Sequence, residues 1–197
     1  MKKTLLIISL LFLININAAD KTLGKVLTPA QKQEYNDVKM QLQSYISSIP
    51  LNKQCGNETE QYLKNMGTPI ALRLLENLKE LEKLSNEGDA LFTAKKYNEA
   101  SNKFTEAILI DEDFPWLWER RGACYFWLQN YQQALHDYNR AILLHPRCGF
   151  FYICRALCYQ SLGNEGAAIN ETRIASALGE PEAQKFLRDW ISCNEKK

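Results

Sequence analysis

The sequence is poor in glycine, proline and histidine, and it carries almost no net charge. Its 197 residues include 9 Gly, 6 Pro and 2 His, which excludes a collagen-like, low-complexity or disordered chain. The 24 Lys and Arg residues balance 23 Asp and Glu residues to a net charge of +1, and no long basic run is available to follow a nucleic-acid backbone. With 46% hydrophobic residues, the chain has enough apolar side chains for a folded domain with an appendage.

One long apolar run stands at the N-terminus. Lys2 and Lys3 precede an apolar stretch at residues 4–16, and Ala18-Ala19 follows it. This order of basic, apolar and small residues is typical of a secretory signal peptide, here residues 1–19. The run is shorter than the about 20 residues of a membrane-spanning helix, so we expect an exported protein, periplasmic or secreted, without stable membrane insertion after cleavage. The alternative, an uncleaved amphipathic anchor, would need a polar stripe that this run lacks.

An internal period of 34 residues organises much of the remaining chain. Steps of this length align small residues with small ones and large residues with large ones. The aligned columns include Gly88, Gly122 and Ala156; Leu91, Tyr125 and Tyr159; and Ala100, Ala134 and Ala168. Within each unit these residues recur at helical spacing, and a short polar break separates two such stretches. Each unit is therefore predicted to be a helix, a tight turn and a second helix, which we call helix A and helix B.

The middle unit, residues 115–148, resembles the tetratricopeptide repeat. Its matching residues are Trp118, Gly122, Tyr125, Ala134, Tyr138, Ala141 and Pro146. The unit 81–114 lacks the Trp and has Glu112 where Pro146 stands, and the unit 149–182 has Thr172 in place of the aromatic. The segment 121–141 resembles the bacterial variety of the repeat. The resemblance implies an all-α fold, a right-handed α-solenoid of three tetratricopeptide helix pairs. It also implies a protein-binding module rather than an enzyme.

Helical segments are predicted on both sides of the three units. Thr28-Pro29 and Thr68-Pro69 each fit a helix N-cap followed by proline at the first helical position, which predicts an N-terminal helical appendage over residues 20–80. The stretch around residues 50–57 is predicted to be a loop between these helices. After the third unit, a proline flanked by acids begins a predicted capping helix, with the cap and tail assigned to residues 183–197.

Each unit also contains two oppositely charged residues sixteen positions apart. The pairs are Glu87 with Lys103, Arg121 with Asp137, and Arg155 with Glu171. In the first pair the acidic residue comes first and the basic residue second, which is the reverse of the order in the other two pairs. Such a compensated reversal predicts a structural ion pair between helix A and helix B of each unit. The alternative is that the charged residues lie on solvent-exposed helix faces and that their regular spacing is a coincidence.

The cysteines support two interpretations. They are Cys55, Cys124, Cys148, Cys154, Cys158 and Cys193. Because Cys124 and Cys158 share a column with Ala90, a small apolar slot in the core accounts for both. Export to an oxidising compartment predicts at least one disulfide among the thiols of the array and cap, although six thiols allow 15 pairings. Cys154 and Cys158 lie four residues apart and suit a soft metal, so a thiol- or copper-handling envelope protein is the alternative function.

Neither histidine lies in a recognisable nucleophile, zinc or phosphate motif. His136 and His145 fall on variable columns of the repeat and are interpreted as surface residues. With no polar catalytic cluster in the sequence, we expect no enzyme activity, no cofactor and no metal site.

An aromatic stripe marks one side of helix A in the middle unit, away from its packing face. In tetratricopeptide repeats this side lines the concave groove, so the resemblance implies a partner-binding groove. The predicted groove residues are Phe92, Trp116, Glu119, Phe126, Trp127, Phe150 and Ile153. Packing of the stripe against the N-terminal appendage is the alternative.

The Lys and Asn with which some family members hold a terminal carboxylate are absent from this sequence. Ser85, Asp89 and Glu119 stand at those positions instead, and Glu82, Asp89 and Glu119 give the groove an acidic edge. The predicted partner is therefore a protein or peptide that presents a basic or amphipathic helix, and not a nucleic acid. The sequence as a whole predicts an exported scaffold or adaptor that binds such a segment in the groove of a short tetratricopeptide array.

Overall fold

A computed structural model of the chain describes residues 28–48 and 56–194, and within these ranges the regular secondary structure is entirely helical. The helices are α1 (Pro29–Ser48), α2 (Gly56–Met66), α3 (Pro69–Thr93), α4 (Tyr97–Ile110), α5 (Pro115–Trp127), α6 (Tyr131–Leu144), α7 (Gly149–Ser161), α8 (Glu165–Ala177) and α9 (Pro181–Asn194). This confirms the predicted all-α fold of helix pairs. None of the described helices is both long and apolar enough to cross a membrane. The predicted signal peptide lies outside the described residues.

The chain divides into two compact units. Unit 1 contains the described residues up to Asn86 together with Glu106–Phe114, and unit 2 contains Glu87–Thr105 together with the described residues from Pro115 onward. Helices α3 and α4 thus contribute residues to both units. Within unit 2, α5 packs on α6, α6 on α7, α7 on α8 and α8 on α9. This sequential packing of neighbours is that of a short α-solenoid.

The turn from helix A to helix B has the same backbone geometry in all three repeats. Its left-handed residue is Lys95, Gln129 or Gly163, with φ of 60°, 61° and 74°. In the second turn the amide of Gln129 donates to the carbonyl of Phe126 at 2.9 Å, and the next amide donates to the carbonyl of Tyr125, also at 2.9 Å. These two bonds close the helix as a Schellman motif. Their recurrence at steps of 34 residues follows the period found in the sequence.

Glycine allows helix A and helix B to cross closely. A Cβ atom placed on Gly122 would lie 2.9 Å from the ring of Tyr138, and one on Gly88 would lie 2.7 Å from the ring of Phe104. Both rings are buried. Each aromatic ring therefore fills the space that the missing side chain leaves on the facing helix.

All three predicted ion pairs form between helix A and helix B. The N–O distances are 2.9 Å for Lys103 and Glu87, 2.7 Å for Arg121 and Asp137, and 2.6 Å for Arg155 and Glu171. The pair with reversed signs occupies the same place in its repeat as the other two. The sixteen-residue spacing therefore marks a structural contact.

Helix α2 in unit 1 was not predicted from the sequence. Gly56 and Asn57, which were predicted to lie in a loop, belong to it. Leu63 is fully buried and Tyr62 and Met66 are half-buried, and this apolar face is too short to show a helical period. Gly67, with φ of 63°, follows its last residue. The hydroxyl of Thr68 then accepts a hydrogen bond from the amide of Ala71 at 3.2 Å, which confirms the predicted N-cap of α3.

Candidate functional site

Three large apolar side chains remain exposed on helix A of successive repeats. Trp127 on α5 is 58% exposed, and Phe150 and Leu157 on α7 are 41% and 45% exposed. On α5 the same face recurs at Trp116 and Ala123, at helical spacing. Helices α5 and α7 contact each other, so their faces adjoin. We call this the groove surface and define it as Asp89, Phe92, Trp116, Glu119, Ala123, Phe126, Trp127, Phe150, Ile153 and Leu157.

Aromatic contacts join α5 to α7 at one end of the groove surface. The rings of Trp116 and Phe150 stack with their centroids 6.2 Å apart. Trp116 also meets Phe151 edge-on at 4.8 Å, and Phe151 is buried. The half-buried state of Trp116 therefore comes from contacts within unit 2, while Phe150 keeps a solvent-exposed portion.

A second aromatic group runs along the A-to-B turns. Tyr97 meets Phe92 edge-on at 5.3 Å and stacks on Trp127 at 5.9 Å with only 12° between the ring planes. Phe126 bridges Trp127 and Tyr131 at 5.9 and 5.5 Å. The sequence analysis missed Tyr97 and Tyr131. They are the first residues of helix B in consecutive repeats and lie 34 residues apart. This shared column of the repeat could have identified them from the sequence.

Glu119 is the one acid of the groove surface that is buried. It is 4% exposed, and the nearest cation is Arg120, whose Nε lies 3.8 Å from Oε2 of Glu119. The same Nε lies 3.5 Å from Oδ1 of Asp89. Burial raises the pKa of Glu119 from 4.5 to about 7; the charge of Arg120 lowers it and that of Asp89 raises it. The sequence predicted Glu119 as part of an acidic edge, whereas the structure places its carboxylate beneath that edge.

The described thiols behave as core residues. Cys124 and Cys158 are fully buried, and desolvation raises the pKa of each thiol to about 12. Cys154 is buried beside Tyr138 in the apolar cluster between α6 and α7, and its pKa is raised for the same reason. Burial also raises the pKa of Cys148. These environments agree with the interpretation of Cys124 and Cys158 as packing residues.

The four described thiols of the array form no disulfide with one another, and a disulfide through Cys55 or Cys193 stays a prediction. Cys124, Cys148, Cys154 and Cys158 are all free. The side chains of Cys55 and Cys193 lie outside the described part of the chain. Within the described residues no group of three His, Cys, Asp or Glu side chains is placed to hold a metal ion. His136 and His145 are exposed, as predicted.

Known proteins share this arrangement of helix pairs. Residues 115–148 match the model of the tetratricopeptide repeat family. The first TPR domain of Spaghetti (RPAP3), solved bound to the HSP90 peptide SRMEEVD, is 26% identical with a TM-score of 0.54, over 60% of this chain and 95% of that one. The Arabidopsis OM64 TPR domain is 28% identical with a TM-score of 0.53, over 57% and 98% of the two chains.

The fold is also that of the Yersinia enterocolitica type III secretion translocator chaperone SycD. That chain is 22% identical with a TM-score of 0.53, over 60% of this chain and 91% of that one. Among curated proteins, none matches the sequence. Residues 115–148 thus match the tetratricopeptide repeat, and the helix pairs of the chain have the fold of solved tetratricopeptide repeat domains.

Proposed function

We propose that this protein is a non-catalytic scaffold that binds a segment of a protein or peptide on the groove surface. The observation that carries the proposal is the exposure of Trp127, Phe150 and Leu157 on adjoining A helices. Large aromatic and aliphatic side chains that remain accessible on a rigid helical framework are the usual anchors of protein interfaces. The ring contacts of Trp116 and Tyr97 hold two of these anchors in place before a partner arrives, which lowers the entropic cost of binding.

Solved relatives support peptide binding as the general role. The Spaghetti (RPAP3) domain, 26% identical, was solved with a peptide bound. Its peptide, SRMEEVD, is rich in acidic residues. In this chain Asp89 and Glu119 contribute two carboxylates to the groove surface against one cation, Arg120. Charge complementarity therefore favours a basic or amphipathic helical segment as the partner here.

An exported location, in the periplasm or outside the cell, is part of the proposal. It rests on the order of basic, apolar and small residues in the segment 1–19. N-terminal sequencing of the protein made by its native host tests it directly, and a mature N-terminus near Asp20 is expected. Recovery of the intact Met1 terminus would contradict export by this signal.

The alternative, a thiol- or copper-handling protein, gains no support from the geometry of Cys154 and Cys158. Both thiols are buried, and burial raises their pKa values. A thiol must be deprotonated and accessible to bind a soft metal or exchange disulfides. The free energy of opening the α6–α7 packing would oppose both reactions.

The binding role is tested by selecting peptides from a displayed random library on the full-length protein. A selected peptide is then titrated against the wild type and Trp127→Ala. Removal of a central aromatic anchor should weaken binding by about 1–3 kcal/mol. The matched control is Leu143→Ala, which removes a 69% exposed side chain on helix B, outside the groove surface, and should leave binding unchanged.

Thermal unfolding of the same variants separates binding from packing. Trp127→Ala should change the midpoint little, because most of the ring is already in water. If Trp127→Ala strongly lowered the midpoint of thermal unfolding and left the peptide affinity unchanged, the aromatic stripe would be part of the hydrophobic core. The proposal would then be wrong. A library that yields no enriched peptide would also count against it.

A further inference from the structure

The carboxylate of Glu119 is the least well compensated charge in the groove surface. It is almost fully buried, and burial, Arg120 and Asp89 are the influences that set its pKa. Its one ion pair, to Nε of Arg120, is 3.8 Å long. Buried carboxylates in folded proteins are normally held by short hydrogen bonds or close cations. Glu119 therefore has unused capacity to accept a charged donor.

Arg120 lies between two carboxylates without binding either closely. Its Nε is 3.5 Å from Oδ1 of Asp89 and 3.8 Å from Oε2 of Glu119. Charge-assisted hydrogen bonds normally measure about 2.7–2.9 Å, and the Arg121–Asp137 pair of the same unit reaches 2.7 Å. The side chains of Arg120 and Asp89 are 42% and 46% exposed. Arg120 is thus a loosely held cation that can move away into solvent.

The other titratable groups near Glu119 do not neutralise it. Cys124 on α5, Tyr138 on α6, and Cys148 and Cys154 around α7 interact electrostatically with Glu119. Burial raises the pKa of each of these groups, so all four are uncharged at neutral pH. Asp89 and Arg120 are the charged groups that face it. With Glu119 ionised, the cluster carries one uncompensated negative charge.

We propose that Glu119 and Asp89 form a subsite for one Lys or Arg side chain of the bound segment, and that this side chain takes the place of Arg120. The proposal rests on the proposed function, because the same groove surface binds the segment. On α5, Glu119 stands between Trp116, whose ring stacks on the exposed Phe150 of α7, and the exposed Trp127. The occupant is therefore an amphipathic helix whose apolar face carries a single cation between two bulky residues.

A bound cation would keep Glu119 ionised, and binding should therefore release a proton near neutral pH. The affinity of a Lys-containing peptide should rise from about pH 6 to about pH 8, across the pKa of about 7 set by burial of Glu119. A peptide bound only through its apolar face should show no such rise. The pH profile thus reports on Glu119 separately from the aromatic anchors.

The probes are peptides selected from a displayed random library on the wild-type protein, and the same selection is repeated on Glu119→Gln. We expect Lys or Arg to be enriched at one position between apolar residues with the wild type, and this enrichment to be lost with the variant. Changing that position to Gln in a synthetic peptide should cost about tenfold in affinity on the wild type and little on Glu119→Gln. Glu165→Gln, an exposed acid on α8, is the matched control.

Two further variants keep the test decisive. Asp89→Asn changes a half-exposed acid and should fold even if Glu119→Gln does not; it should also weaken selection of the cation. Arg120→Met removes the competing cation while keeping an apolar stem, and it should increase affinity for the Lys peptide severalfold. A purely structural role of Arg120 would not produce such a gain.

The outcomes separate the two proposals. Peptides that bind, lose affinity with Trp127→Ala and show no Lys or Arg preference would overturn the subsite and leave the binding role intact. A cation preference that persists in both Glu119→Gln and Asp89→Asn would also overturn the subsite. Failure to select any peptide would count against the binding role itself.

Discussion

Arg121 on α5 and Asp137 on α6 form a bidentate ion pair. Nε of Arg121 donates to Oδ2 at 2.7 Å and Nη2 donates to Oδ1 at 2.8 Å, and the carboxylate of Asp137 is 1% exposed. Burial lowers the pKa of Arg121, but the hydrogen bonds and charge of Asp137 outweigh it, and the pKa is raised. A third donor–acceptor contact, from Nη1 to the hydroxyl of Thr105 at 3.2 Å, links the pair to helix B of the preceding repeat.

This pair should dominate the stability effect of charge changes in unit 2. Arg121→Ala leaves a buried carboxylate without its partner and should cost about 3–5 kcal/mol, measured by urea unfolding. The double variant with Asp137→Ala should lose less than the sum of the single losses. Lys96→Ala and Glu99→Ala break an exposed pair and should each cost under about 1 kcal/mol. Strict additivity of the buried pair would contradict its assigned role.

Alanine at the crossing glycines should destabilise the fold. Gly122→Ala brings a methyl group to 2.9 Å from the buried ring of Tyr138, and overpacking of this kind costs about 1–3 kcal/mol. Gly166→Ala is the matched control, because it lies within α8 with no atom within 4 Å of its new Cβ. The control should stabilise the protein by about 0.4–1 kcal/mol through the unfolded state. Equal changes in melting temperature for the two variants would refute the close crossing.

Stability should fall as pH rises through the range set by Glu119. The unfolded carboxyl ionises above pH 4.5, whereas burial keeps the folded one protonated until about pH 7. The unfolded state therefore binds fewer protons in that window, and the free energy of unfolding decreases with pH. Glu119→Gln should remove up to about 3 kcal/mol of this decrease. Unfolding curves of the wild type, Glu119→Gln and Glu165→Gln at several pH values measure it; parallel curves for all three would be the contrary result.

Thiol labelling of the native protein should distinguish the described cysteines by burial. Cys148 is half-buried whereas Cys124 and Cys158 are fully buried with pKa values raised to about 12. Because the thiolate is the reactive form, Cys148 should be alkylated before the other two, as mapped by mass spectrometry of peptides. Labelling in denaturant is the control and should make the three sites equivalent. Fast native labelling of Cys158 would reopen the thiol-handling function.

The 34-residue period was sufficient to predict the repeat fold because in each repeat helix A packs closely against helix B. Gly122 and Tyr138 are a small residue and a large one that fit together, and the columns of the sequence preserve that relationship even where chemistry changes. Thr172 replaces the aromatic of helix B in the third repeat, yet it is buried and its hydroxyl donates to the carbonyl of Ala168 at 2.8 Å. Helix α2 escaped prediction because its apolar face, formed by Tyr62, Leu63 and Met66, spans little more than one turn.

The candidate site was less predictable than the fold because the state of a side chain depends on neighbours from other helices. Glu119 and Trp127 lie on the same face of α5 in the sequence pattern, but one is buried and the other exposed. The spacing of residues along α5 does not distinguish them, because the burial of Glu119 depends on packing against residues of other helices. The spacing of the cysteines likewise did not show that Cys154, which the sequence offered as a metal ligand, is buried beside Tyr138 in an apolar cluster.

The reversed charge order of the first ion pair has a consequence for the fidelity of folding. Three similar helix pairs on one chain invite incorrect docking of a helix A with the helix B of another repeat. Docking Glu87 with Asp137 or Glu171, or Lys103 with Arg121, would bring like charges together at the position where the native repeats place opposite ones. The charge order of the first repeat therefore favours docking of its helix A with its own helix B over docking with helix B of the other two repeats.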